Sequence, residues 1–143
     1  MNIYSIADNI ISPLGIDTIS NLDAISNGKS GITLINDRNL SETEFYAAKI
    51  KYDLPLLEGY SFLESLFIQS IKATISDLDL DSERTILVLS STKGNIDLLE
   101  DEGNSRVLLP KMAEAINNYF SLKKSPILII QMTTLKIFTI RMH

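Results

Sequence analysis

The longest stretch of hydrophobic residues without alternation ends in a run of hydroxyls. Residues 85–89 (TILVL) are all apolar or β-branched, the pattern of a strand buried on both faces. Ser90, Ser91 and Thr92 then replace the apolar run, and Lys93-Gly-Asn95 supplies a turn. A strand that turns polar at its C-terminal end and leads toward a helix has the form of a strand end facing a site in an α/β sheet. The same hydroxyls would equally serve to cap the next helix. Ser125-Pro126 opens a second apolar run, 127–130 (ILII), which reads as another buried parallel strand. Residues 2–11 (NIYSIADNII) are rich in β-branched side chains and end at Ser12-Pro-Leu-Gly15, predicting a strand and a tight turn. Residues 45–52 alternate weakly, as a short strand near an edge would, and the polar stretch 33–43 reads as a loop.

Helical periodicity separates these strands. Residues 60–78 carry the strongest signal, with Leu63, Leu66, Phe67, Ser70, Ile71 and Thr74 in one stripe and Glu64, Gln69 and Lys72 off it. A second helix is predicted over 108–122, opened by Pro110, with Met112, Ala115, Ile116, Tyr119 and Phe120 facing inward. Asp17 can cap a third, whose apolar positions are Ile19, Leu22, Ala24 and Ile25 and which Asn27-Gly28 stops. Residues 96–102 form a short acidic helical piece, its carboxylates answering the helix dipole. The order of strands and helices predicts an α/β fold with a mostly parallel sheet, helices packed on it and right-handed crossovers.

Composition narrows the function classes. A chain of 143 residues fits one domain with a real core, and 45% hydrophobic against 22% charged residues is ordinary globular composition. The net charge of −5, with no local basic cluster, argues against nucleic acid or an anionic membrane surface as a partner. The absence of cysteine removes disulfides, thiolate metal sites and thiol nucleophiles. Asp8 interrupts the first apolar run and no positive charge precedes it, so no signal peptide is read and a soluble cytoplasmic protein is expected. Lys136 and Arg141 break up the run at 131–143, which is too short in any case, so no membrane span is expected there.

Two motif fragments fail on inspection. Gly28-Lys-Ser30 ends like a phosphate loop, but the required earlier glycine is Asp23 and the triplet follows a helix instead of opening one. Asp77, Asp79 and Asp81 have the opening spacing of a calcium loop, yet Ser82 stands where its glycine belongs and Val88 where its final glutamate belongs. The sole histidine, His143, is the last residue. No catalytic, cofactor-binding or metal-binding residue is therefore assigned.

Three stretches taken in order resemble the N-terminal part of the β-ketoacyl-acyl carrier protein synthases. They are Ile11-Ser-Pro-Leu-Gly15 with Asn27-Gly-Lys-Ser-Gly-Ile32, then Leu87-Val-Leu-Ser-Ser-Thr-Lys-Gly-Asn95, then Ser125-Pro-Ile-Leu-Ile-Ile130. The resemblance implies a thiolase-like fold of two duplicated α/β halves, of which 1–130 would cover most of one. It also implies decarboxylative condensation of acyl and malonyl thioesters, with acyl carrier protein as partner of the complete family member. In that family a cysteine at the start of a buried helix takes the acyl group, and two histidines of the second half assist decarboxylation and stabilise the oxyanion.

This chain departs from the family at the nucleophile. Thr133 stands at the spacing of the cysteine, and a threonine hydroxyl with no base beside it is a poor nucleophile. The glycine-rich turn around the nucleophile and both histidines are absent. Residues 131–143 read as sequence unrelated to the family, as a frameshift or truncation would leave; Ile-Gln-Met codons shifted by one frame can spell Ser-Asn, a pair often preceding that cysteine. Three readings follow. The first is an inactive N-terminal piece of a 3-oxoacyl synthase. The second is a non-catalytic α/β module that binds an acyl chain, a carrier protein or a synthase subunit. The third is a doubly wound small-molecule binder with residues 90–95 facing the ligand. Exposed apolar surface is expected to drive homo-oligomerisation.

Overall fold

The computed structural model describes residues 4–50, 54–76, 78, 80–100, 103–130 and 136–141. The protein is α/β, with three α-helices and two small sheets among these residues. The chain forms two compact units, one of residues 1–54 and 70–76, the other of 55–69 and 77–143.

In the first unit, helix α1 (Thr18–Ser26) begins where the sequence places its cap: the Asp17 carboxylate accepts the Ser20 N–H at 2.7 Å. Its apolar positions behave differently from expectation. Asn21 and Ala24 are buried, while Ile19, Leu22 and Ile25 are 74%, 54% and 60% exposed. Asn21 takes the inner place because its side chain serves the preceding loop, donating to the Ile10 and Asp17 carbonyls at 3.0 and 2.8 Å and accepting from the Ser12 hydroxyl.

Two further expectations for this unit are corrected. Residues 4–11 form no strand; Asp8, Asn9 and Ile10 are held by side-chain bonds instead, including Thr18 to Asp8 at 2.6 Å and Asn9 to Ser70 at 3.0 Å. A β-branched composition suits a pleated surface, but it makes a strand only where a partner strand is at hand. The supposed loop at 33–43 contains strand β1 (Ile32–Ile35), paired antiparallel with β2 (Phe45–Ala48). Here Ile32, Leu34, Tyr46 and Ala48 share the exposed face of the hairpin.

The second unit is built on strand β3 (Thr85–Ser90), one residue longer than the apolar run at 85–89. It is the middle of a three-stranded sheet, parallel to β4 (Ile127–Ile129) and antiparallel to β5 (Lys136–Arg141). The sheet is therefore mixed, with one parallel and one antiparallel pairing where the sequence predicts a mostly parallel sheet. Residues 136–141, to which the sequence assigns no element, occupy the whole of one edge of β3. All of β3 is buried except the half-buried Ile86. The strand β4 is less covered than its composition suggests: Ile127 and Ile129 are exposed because it lies at the sheet edge.

Helix α2 (Phe62–Ile75) runs through both units, and α3 (Leu109–Tyr119) packs on β4. Phe67 and Ile68 of α2, and Met112, Ala113 and Ile116 of α3, join Leu87, Val88 and Leu89 as the buried apolar side chains of the second unit. The remaining residues of the predicted α2 stripe are half-buried, and Glu64, expected on the polar side, is fully buried.

Candidate functional site

The polar turn after β3 is the place at which the sequence looks for chemistry, and the structure ties it down on all sides. Ser91 closes the turn on itself: its hydroxyl donates to the Lys93 carbonyl at 2.7 Å and accepts the Lys93 N–H at 3.2 Å. Its backbone N–H continues the sheet by donating to the Ile129 carbonyl at 3.2 Å. Gly94 lies so close to the Val107 carbonyl oxygen that a side chain there would collide with backbone. Asn95 is completely buried and makes three bonds. Its amide oxygen accepts from Ser61 Oγ at 2.6 Å, and its Nδ2 donates to Glu64 Oε1 at 2.9 Å and to the Arg106 carbonyl at 2.8 Å.

Glu64 arrives in this cluster through a local sequence rule. Ser61-Phe-Leu-Glu64 is a capping box: Ser61 Oγ accepts the Glu64 N–H at 3.1 Å and Glu64 Oε2 accepts the Ser61 N–H at 3.0 Å. Asp97 adds a further cap to α2, accepting the Phe62 N–H at 3.3 Å. Arg106, in the short 3-10 turn Ser105–Val107, then meets the same carboxylate side-on. Its Nε donates to Oε1 at 3.1 Å, its Nη2 forms an ion pair with Oε2, and its Nη1 donates to the Gly59 carbonyl at 2.7 Å. The guanidinium also lies 5.7 Å from the centre of the Tyr60 ring, which meets Tyr119 edge-on at 5.5 Å.

This geometry decides what the cluster can do. A carboxylate has about four lone-pair positions, and those of Glu64 are taken by Ser61, Asn95 and two nitrogens of Arg106. Nothing is left on the carboxylate to accept a proton from a substrate, and Nε, Nη1 and Nη2 of the guanidinium each meet an oxygen of Glu64 or Gly59. The cluster is an internal tie between the start of α2, the turn after β3 and the 105–107 segment.

One group beside it stands apart. Ser90, the last residue of β3, is 2% exposed and its hydroxyl has no hydrogen-bond partner among the described residues.

Other positions singled out in the sequence are structural where they are described. Gly28 and Lys29 spend their backbone N–H groups on the Ile25 and Ala24 carbonyls, both at 2.9 Å, and Ser30 Oγ takes the Ile32 N–H at 3.1 Å. Three of the backbone donors of this stretch are thus already engaged. The open cavity of about 610 Å³ beside them is lined by Asp23 as well as Lys29. Asp81 shapes the turn into β3, accepting the Glu83 N–H at 3.0 Å; Asp77, Asp79, Thr133 and His143 lie outside the described residues. Among the described residues there is no grouping of three acidic or histidine side chains that could hold a metal, and no helix long and apolar enough to cross a membrane.

The sequence reading missed Glu64 and Arg106. The capping-box spacing could have found the first; nothing local marks the second, which lies 42 residues further on. No protein-family profile matches the chain, and no curated protein matches it in sequence.

Proposed function

We propose that this chain corresponds to the N-terminal part of a β-ketoacyl-acyl carrier protein synthase and has no condensing activity of its own. The ordered set of three motifs supports it, and one observation carries it furthest. Motif residues far apart in sequence fill tight backbone positions: a side chain on Gly31 of the first motif would meet Pro13 of the same motif at 3.0 Å, and Gly94 of the second abuts Val107. Gly31 and Gly94 thus serve close approach, while Gly28 of the first motif has open space and serves its positive φ of 67°. The half-fold would be thiolase-like, and acyl carrier protein would be the partner of a complete enzyme. Inactivity follows from the residue types: there is no cysteine, and the one histidine is at position 143.

The coding DNA tests this directly. Read beyond the codon of Ile130 in the other two frames, one frame is expected to run on into a glycine-rich turn and a second half with two histidines. If neither frame continues that pattern, the proposal fails.

The exposure of Ile19, Leu22 and Ile25 on α1 favours a second reading, a non-catalytic α/β module that binds an acyl chain, a carrier protein or a synthase subunit. Unrelated sequence in all three frames, together with binding of one of these partners by the intact chain, would favour it over the first.

A further inference from the structure

We draw no further inference here: the strongest candidate, the exposed apolar face of the β1–β2 hairpin formed by Ile32, Leu34 and Tyr46, carries none because nothing in the structure shows what covers it.

Discussion

Arg106 holds the Glu64 carboxylate by two of its nitrogens, Nε on Oε1 and Nη2 on Oε2, where the carboxylate is wholly inaccessible and the arginine side chain 31% exposed. Such a pair adds little over a hydrophobic replacement, but breaking it strands a buried charge. The consequences for stability are therefore asymmetric.

Arg106→Met is expected to cost about 3–5 kcal/mol, because it leaves the buried Glu64 carboxyl without its cationic partner and two of its donors. The double variant Glu64→Gln/Arg106→Met should be less destabilised than the single one, since glutamine can keep the bond to Ser61 without the charge. Urea unfolding followed by circular dichroism measures both. A single-variant loss below about 1 kcal/mol, the range of exposed pairs, would show that the carboxylate is not dependent on Arg106.

Ser90 and Ser61 are both buried serines, and they should respond oppositely. Ser61→Ala removes a helix cap and the partner of the Asn95 amide oxygen, a loss of about 1–2 kcal/mol for the cap alone. Ser90→Ala removes a hydroxyl that has no partner among the described residues, so the desolvation cost of an unmade hydrogen bond, about 1–3 kcal/mol, disappears with it. The unfolding midpoint of Ser90→Ala is expected to stay level or rise. A clear fall would mean that the hydroxyl has a bound partner in solution.

Gly94→Ala probes the packing of the turn against the 105–107 segment. The added methyl group would run into the Val107 carbonyl oxygen, and overpacking of this kind costs about 1–3 kcal/mol. Amide exchange should quicken at Asn95 and Arg106 before it does so in the middle of β3. Unchanged exchange at both residues would show that the turn yields freely.

Purified chain incubated with acyl- and malonyl-carrier protein is expected to form neither a condensation product nor a covalent acyl adduct. The prediction follows from the residue types rather than from geometry, since Thr133 has no histidine near it in sequence. Intact-mass spectrometry checks it, and acylated Thr133 would refute it.

How much of this was legible from the sequence depended on whether local rules or distant partners decided the outcome. The strand at 85–90 was legible because an unbroken apolar run of that length has few other uses, and Asp17 because capping is local. Helices α2 and α3 were placed correctly, each a few residues shorter than their periodicity suggested. The 4–11 segment misled because strand formation needs a neighbour that composition does not supply. The buried side of α2 was misjudged at Glu64 because the neutralising arginine comes from another part of the chain. Leu-rich or Ile-rich runs also do not distinguish a covered strand from an edge strand, which is why β4 proved more exposed than expected.

Strand β5 pairs with β3 from Thr85↔Arg141 to Ser90↔Lys136, whereas β4 reaches only Val88, Leu89 and Ser90. A chain ending at Ile130 would leave the buried central strand of the sheet with one edge open along its length. Open apolar edges recruit other strands, so this truncated chain is expected to aggregate. The intact chain should remain soluble as discrete self-associated species, held by exposed side chains such as Ile19, Leu22 and Ile25. Its melting midpoint should lie below about 60 °C, within the mesophile range. Size-exclusion chromatography with light scattering and thermal melts on both chains would test the difference. If the truncated chain stays monomeric and melts with the midpoint of the intact one, then β5 contributes nothing to the fold and β3 is protected by other means.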